Sequence, residues 1–148
     1  KTHQIPRLQA WYADNEIEYT YSGKKLQRHH WNNLLLEIKE KIENITSFKF
    51  NSVLANLYRD GNDSMGLHSD DEKELGKKPV IASLSLGETR EIYFKHKNKK
   101  LSLIIPQTSG QLIVMHGNTQ EYWKHEIKKI KKIKKPRINL TFRKIITN

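Results

Sequence analysis

Cysteine is absent from the 148-residue sequence, which excludes disulfide bonds, thiolate zinc sites and cysteine nucleophiles. Any metal ligands must therefore come from histidine, aspartate and glutamate. Long apolar runs are also missing, so no stretch is long enough to cross a membrane, and the first residues do not resemble a signal peptide. We therefore expect a protein without a membrane segment that works inside the cell, in the nucleus if its source is eukaryotic and in the cytoplasm otherwise.

Acidic residues are the scarcer charged class, with 16 Asp and Glu against 27 Lys and Arg, so the formal net charge is +11. This balance favours a polyanionic partner such as nucleic acid, with a merely solubilising surface as the alternative. The positive charge is clustered, because residues 128–135 contain six lysines in eight positions and residues 95–100 form a second basic stretch. Such clusters are typical of contacts with a phosphate backbone, which add affinity without base choice.

Apolar residues recur with the 3, 4 and 7 spacing of an amphipathic helix between residues 31 and 45, and we predict a supporting helix there. Its predicted apolar face consists of Trp31, Leu34, Leu35, Ile38, Ile42 and Ile45.

Residues 1–30 are predicted to be irregular apart from a short strand at 18–22, in which Tyr19 and Tyr21 share a face. That pair could stack on a nucleic-acid base or be ordinary half-buried packing.

After residue 47 the pattern changes to short strands separated by turn signals, which favours an antiparallel sandwich or jelly roll. The predicted strands cover residues 48–58, 80–86, 91–97, 101–105, 111–116 and 137–145. The length fits one domain. We therefore predict a single, mainly β domain over residues 1–148, made of an N-terminal segment (1–30), the helix (31–45) and a β core (48–148).

His68 and Asp70 are separated by one residue, so an extended backbone directs both side chains to the same side. His125 is the best placed of the remaining histidines to add a third ligand. Two histidines and one carboxylate on one face of an octahedron are the ligand set of non-haem Fe(II) oxygenases, which leaves positions open for a co-substrate and oxygen. The alternative for the His-x-Asp pair alone is a chance occurrence with an ordinary exposed histidine.

The last predicted strand brings two arginines to one face. Its period of two groups four polar side chains, namely Arg137, Asn139, Thr141 and Arg143. An arginine grips a carboxylate through paired hydrogen bonds, so this face is predicted to bind a small organic acid, with a solvated outer face as the alternative. Asn56 and Tyr58 share a face of an earlier strand and could bind the same acid, although a satisfied buried Asn56 is equally compatible with the pattern.

Taken together, these motifs closely resemble the AlkB family of Fe(II)- and 2-oxoglutarate-dependent dioxygenases, and most of all the branch that repairs alkylated DNA. The likeness extends from Pro6-Arg7 to Ile145. The motifs that carry it are Asn56-Leu-Tyr58, Gly66-Leu-His-Ser-Asp-Asp-Glu72, Ile81-Ala-Ser-Leu-Ser-Leu-Gly87, Trp123-Lys-His125 and Pro136-Arg-Ile-Asn-Leu-Thr-Phe-Arg-Lys144. The final motif, Arg-x-Asn-x-Thr-x-Arg, is specific to this resemblance.

The resemblance implies a double-stranded β-helix, a jelly-roll fold that agrees with the strand pattern. It implies Fe(II) bound by His68, Asp70 and His125, with 2-oxoglutarate as co-substrate and O2 as oxidant. It implies that the co-substrate is held by Asn56, Tyr58, Arg137, Asn139, Thr141 and Arg143. It assigns seven residues to the nucleic-acid substrate, with the first on a phosphate and the last two at the mouth of the base pocket: Arg7, Tyr19, Thr20, Tyr21, Ser22, Asp71 and Glu72.

The implied activity is oxidative demethylation of bases such as 1-methyladenine and 3-methylcytosine in DNA, with release of formaldehyde and succinate. The alternatives are an RNA demethylase, a protein hydroxylase of the same chemistry, or a catalytically silent nucleic-acid-binding module. The duplex-opening aromatic hairpin of the family would precede Pro6-Arg7, and the sequence starts too close to Pro6 to include it. We therefore expect either a trimmed chain or a preference for single strands, and a monomer.

Overall fold

The computed structural model describes residues 5–146, and most of its regular structure is β-strand. The strands in this range are β1 Leu8–Ala13, β2 Thr20–Tyr21, β3 Lys24–Lys25, β4 Arg28–His29, β5 Ser52–Tyr58, β6 Met65–His68, β7 Ile81–Gly87, β8 Arg90–His96, β9 Ser102–Gln107, β10 Leu112–Met115, β11 Trp123–Ile127 and β12 Arg137–Arg143. The helices are α1 Asn33–Thr46, α2 Thr119–Tyr122 and a 3-10 turn at Lys73–Leu75. Residues 1–4 and 147–148 of the predicted domain lie outside the described range.

The larger sheet contains six strands in the order β10-β7-β12-β5-β1-β4, and only its β1–β4 pair is parallel. β12 is central, with β5 and β7 as its neighbours, and its register places Asn139 opposite Asn56 and Ser85. Because side chains alternate along a strand, Leu140 and Phe142 point to one face and the predicted polar set points to the other. From Asn139 to Arg143 every side chain of β12 is buried, so the charged and polar residues of this strand need partners in the interior.

The smaller sheet contains four strands in the order β6-β11-β8-β9 and packs over the polar face of the larger sheet. Its inward residues Ile92, Phe94 and Ile127 meet Trp11 and Leu54 of the larger sheet in one apolar core. Burial of these side chains removes a large apolar area from water, which is the main favourable term in folding. Two facing sheets around this core confirm the predicted jelly roll.

Helix α1 confirms the predicted helix with bounds shifted by one or two residues. Asn32 caps its first turn by accepting a hydrogen bond from the backbone N–H of Leu35 at 2.8 Å. Leu35 and Ile42 are buried against the outer face of the larger sheet, but Leu34 and Ile45 are 66% and 74% exposed. The prediction that these two residues belong to the packed face was wrong, because the contact is a narrow stripe along the helix.

Within residues 5–146 no helix is both long and apolar enough to span a bilayer.

The N-terminal segment is more ordered than predicted. Residues 8–13 form β1, which pairs with β5 along its whole length and buries Trp11 and Ala13. The sequence prediction also missed β6 and β11, which are short strands that carry His68 and His125. Period-two patterns are hard to detect over four or five residues, and polar ligand residues interrupt the apolar alternation.

Candidate active site

His68, Asp70 and His125 converge at one edge of the smaller sheet. His68 ends β6 and lies directly opposite His125 on β11, while Asp70 follows two residues later. One ligand atom from each residue lies within 4.8 Å of the other two. The distance from His68 Nε2 to Asp70 Oδ1 is 3.4 Å. Strand pairing therefore joins residues that are far apart in sequence into a set of three metal-competent groups.

The hydrogen bonds around these groups leave one carboxylate oxygen and one imidazole nitrogen without a partner, while the Tyr21 hydroxyl lies 3.1 Å from His68 Nε2. His68 Nδ1 lies 2.7 Å from the Gly66 carbonyl, which can only accept, so the proton is on Nδ1 and Nε2 carries the lone pair. Arg143 donates to Asp70 Oδ2 at 2.9 and 3.2 Å. Among the described residues, Asp70 Oδ1 and His125 Nδ1 are buried without a hydrogen-bond partner. Unsatisfied acceptors of this kind are rare in interiors, and the donor set fits Fe(II).

The protonation states also suit metal binding at neutral pH. Burial lowers the pKa of His125 to about 4, so its imidazole is neutral at pH 7. Burial alone would raise the pKa of Asp70, but the guanidinium of Arg143 and the neighbouring imidazoles outweigh it and hold that pKa below its usual range. The site therefore presents one carboxylate and the neutral imidazole of His125.

Two residues that received no role from the sequence, Gln120 and Ser69, position the loop carrying Asp70. The Gln120 side chain, on α2, accepts a hydrogen bond from the Asp70 backbone N–H at 2.7 Å. Ser69 donates its hydroxyl proton to the Trp123 carbonyl at 2.6 Å. Both contacts tie the loop to the segment that leads into β11. No local sequence signal marks them, because they depend on tertiary contacts over 50 or more positions.

Arg137 supplies the clearest anion-binding group. Its side chain is only 2% exposed, lies 5.1 Å from the Tyr58 ring and donates to Ser85 Oγ at 2.9 Å. Its Nε and Nη1 atoms have no partner, and no carboxylate pairs with it within the part of the chain that the structure describes. A buried guanidinium with free donors is costly unless an anion binds it, so its surroundings fit a carboxylate guest such as that of 2-oxoglutarate.

One cavity brings the metal-competent set and all six predicted co-substrate residues together. Asn139 donates to Ser83 Oγ at 2.7 Å, and Asn56 accepts hydrogen bonds from Arg7 and Gln9. The cavity volume is about 30 Å³, far below the 300 Å³ or more that is typical of ligand pockets. A dicarboxylate therefore requires the lining side chains to move apart.

A wider groove of about 450 Å³ opens beside His68 and is lined by Arg7, Tyr21 and Ser22 among others. Burial raises the pKa of Tyr21 to about 12, so the phenol is protonated, and it lies 3.1 Å from His68 Nε2. Arg7 is largely buried, and its guanidinium donates to Asn56 at 2.9 Å and to the Ser64 carbonyl at 3.1 Å. Arg7 therefore braces the groove wall through Asn56 and Ser64, and its contact with a phosphate stays a prediction.

The other predicted substrate residues lie elsewhere. Tyr19 is 1% exposed and packs between Trp11 and Tyr21, so it supports the groove from behind. Thr20 is exposed on β2, and Glu72 is half-buried. Asp71 is exposed and lines a separate groove on the side of Lys97.

The two basic stretches are exposed at separate loops. Residues 128–135 lie between β11 and β12, which carry His125 and Arg137, and all six lysines of that run are exposed. Residues 95–100 form the end of β8 and the turn into β9. The first stretch thus connects the metal-competent strand to the anion-binding strand.

Known proteins are similar to this chain in sequence and in fold. The sequence matches the 2OG-Fe(II) oxygenase superfamily over residues 2–143. It is 44% identical to the alpha-ketoglutarate-dependent dioxygenase alkB homolog 3 of Bos taurus, over 97% of this chain and 53% of the relative. It is 39% identical to the DNA oxidative demethylase ALKBH2 of Homo sapiens, over 99% of this chain and 59% of the relative. The chain thus spans about half the length of the curated relatives it matches.

A solved structure, that of OsALKBH1, has a similar fold, with a TM-score of 0.62 over 82% of this chain and 68% of that chain at 22% identity. The superfamily is defined by Fe(II), 2-oxoglutarate and O2, and the His68, Asp70 and His125 set could form the iron site. Since the family match covers nearly every residue and the relatives above are alkB homologues, this chain belongs to the 2OG-Fe(II) oxygenase superfamily and, within it, to the AlkB family of dioxygenases.

Proposed function

We propose that this protein is an Fe(II)- and 2-oxoglutarate-dependent demethylase that removes N-methyl groups from alkylated DNA bases such as 1-methyladenine and 3-methylcytosine. The single observation that carries the proposal is the shared cavity, in which three metal-competent groups and the unpaired Arg137 lie together. The solvent-open groove beside His68 shares Tyr21, Met65 and His68 with that cavity, which supports it as the side from which a substrate enters.

The residues of the site have distinct proposed roles. His68, Asp70 and His125 hold Fe(II), and Arg137 binds a carboxylate of 2-oxoglutarate. Bound iron would supply the oxidation of the methyl C–H bond by O2, coupled to conversion of 2-oxoglutarate to succinate and CO2, and the oxidised methyl group would leave as formaldehyde to restore the base. Arg143 keeps Asp70 ionised and fixes one of its oxygens, so that the other oxygen is directed at the metal position.

Three observations support nucleic acid as the substrate. The net charge of +11 attracts a polyanion, and the exposed lysines of residues 128–135 fit a phosphate backbone. The ALKBH2 relative is named as a DNA oxidative demethylase. Methylation at the pairing edge of a base weakens the duplex, which lowers the free energy required to extrude that base into a pocket.

The test is a turnover assay on oligonucleotides that carry 1-methyladenine or 3-methylcytosine. We expect succinate, formaldehyde and restored base in equal amounts, and only with both Fe(II) and 2-oxoglutarate. The His68→Ala variant should lose this turnover, because it removes one of three metal ligands. Full turnover by His68→Ala would show that the metal assignment is wrong.

Matched substrates separate the alternatives. Faster turnover on single-stranded RNA than on DNA of the same sequence would indicate an RNA demethylase, and hydroxylation of a peptide without base repair would indicate a protein hydroxylase. Nucleic-acid binding by the Fe(II)-loaded protein without 2-oxoglutarate turnover would indicate a silent binding module. We also propose a monomer with an intracellular location, which gel filtration and imaging of the tagged full-length protein would test.

A further inference from the structure

The lysine loop, which we define as residues 128–136, is fastened to the protein by its backbone. Gly61 donates its N–H to the Ile133 carbonyl at 2.8 Å, and its carbonyl accepts the Ile130 N–H at 2.8 Å. A Cβ atom added to Gly61 would lie 1.7 Å from the Ile130 carbonyl oxygen. Only glycine permits this approach, so the turn before β6 and the lysine loop fit against each other without a side chain between them.

Arg90, the first residue of β8, is buried and forms hydrogen bonds to both the turn before β6 and the lysine loop. It is 1% exposed, and its guanidinium donates to the carbonyls of Asp60, Asp63 and Lys128 at 3.1, 2.9 and 2.8 Å. These acceptors are main-chain carbonyls, whereas the Asp63 carboxylate is bound by Arg59. The rigid fork of an arginine can hold several carbonyls in fixed positions, which a flexible lysine cannot reproduce.

The sequence of the loop separates anchoring residues from displayed residues. Isoleucine occurs at every third position, and Ile127 is buried while Ile130 and Ile133 are half-buried. The lysine pairs between them are exposed. The isoleucines therefore pack against the protein while the lysine ammonium groups project into solvent. A loop that served only to add charge would not need these packed isoleucines.

We propose that Arg90 and Gly61 are positioning residues that hold the lysine loop as a preformed phosphate-binding surface for the nucleic-acid strand. This inference rests on the proposed function. A loop that is already ordered loses little conformational entropy when a strand binds, so its lysines act together. Because the loop joins β11 to β12, the fixed surface also has a fixed distance from His125 and Arg137.

The test uses two variants that keep the net charge of the wild type. Arg90→Lys removes the fork, and Gly61→Ala introduces the clash with Ile130. Arg59→Lys is the matched control, because Arg59 binds Asp63 without contacting the lysine loop. Circular dichroism and melting temperature confirm that each variant is folded, and Arg90→Lys decides the outcome if Gly61→Ala is not.

Limited trypsin digestion measures the release of the loop, since trypsin cleaves after lysine only where the backbone is mobile. Fluorescence anisotropy with a labelled single-stranded oligonucleotide, from 50 to 200 mM NaCl, measures affinity. We expect cleavage within the loop to become roughly tenfold faster in both variants and affinity to fall by roughly tenfold, with a shallower salt dependence. The Arg59→Lys control should match the wild type in both measurements.

Turnover kinetics distinguish positioning from general damage. The KM for the methylated oligonucleotide should rise by about the same factor as the dissociation constant in both variants. In Gly61→Ala, kcat and the KM for 2-oxoglutarate should stay unchanged, whereas Arg90 lies 5.5 Å from the Tyr58 ring and is compared for the oligonucleotide alone. A released loop with unchanged affinity would overturn the inference, and so would unchanged tryptic cleavage in both variants. If the wild type itself binds no nucleic acid, the proposed function fails, and the inferred surface fails with it even where digestion shows that Arg90 and Gly61 hold the loop.

Discussion

Arg137 and Arg143 lie on the same face of β12 and are both buried, yet their surroundings differ. Arg143 makes an ion pair with Asp70 at 2.9 Å, whereas Arg137 contacts Ser85 and the Tyr58 ring and has no carboxylate partner in the described part of the chain. The pair fixes a metal-competent carboxylate, and the unpaired guanidinium is ready for an anion from solution. Two identical residues on one strand thus differ in pairing, and we expect Arg143 to serve the structure and Arg137 to serve the ligand.

The largest effect is expected from Arg143→Met. The substitution leaves the Asp70 carboxylate buried without its cation, so the free energy of unfolding should fall by about 3–5 kcal/mol. Urea denaturation of the metal-free protein measures this. The double variant Arg143→Met with Asp70→Asn should recover part of the loss, and a loss below about 1 kcal/mol for the single variant would contradict the structural role of Arg143.

The burial of His125 beside Asp70 and Arg143 also predicts that the stability of the protein depends on pH. Burial lowers the pKa of His125 from its ordinary 6.5 to about 4, so the unfolded state binds the proton more readily than the folded state. Stability from this residue is complete above pH 6.5 and falls by about 3 kcal/mol as the pH drops to 4. Denaturation curves at several pH values measure the slope. The same slope in His125→Gln would show that His125 is not its source.

Arg137→Met should weaken the binding of 2-oxoglutarate while leaving the stability of the protein nearly unchanged, in contrast to Arg143→Met. The affinity for 2-oxoglutarate should fall by about 100-fold, because charge-assisted hydrogen bonds to the carboxylate are lost. The free energy of unfolding should change by less than about 1 kcal/mol, since a buried cation without a partner is removed. Titration calorimetry of Mn(II)-loaded protein and urea denaturation measure the two quantities. Equal destabilisation by both methionine variants would remove the contrast between the arginines.

The smallest effect is expected at an exposed arginine that also has a carboxylate partner. Arg59 pairs with Asp63 at 2.8 Å, but its side chain is 55% exposed. Arg59→Gln should lower the free energy of unfolding far less than Arg143→Met does, because solvent screens the pair. Urea denaturation beside Arg143→Met tests whether burial, rather than pairing alone, sets the size of the effect.

The sequence predicted the helix and strands in which apolar and polar residues alternate with a regular spacing. The alternation along β12 grouped Arg137, Asn139, Thr141 and Arg143 on one face, and the structure has them on one face. The helical spacing predicted α1, and the strand pattern predicted the jelly roll. These features depend on local backbone geometry, which the order of residues reports directly.

Features that depend on long-range pairing could not be predicted from the pattern. The pairing of His68 with His125 rests on the register between β6 and β11, and the arginine that meets Asp70 is 73 positions away. The resemblance implied a phosphate contact for Arg7, which stays a prediction, whereas its hydrogen bond to Asn56 spans 49 positions and had no sequence signal. Partner choice over such distances is decided by tertiary packing.

β6 is the outer strand of the smaller sheet, and its hydrogen-bonded neighbour in that sheet is β11. The same strand provides His68 to the metal site and Met65, Gly66 and Leu67 to the wall of the groove. A cation shared by His68 and His125 would cross-link these strands and reduce fraying at the margin of the sheet. The groove wall and the metal-competent set therefore share one strand, so a bound cation would stiffen both.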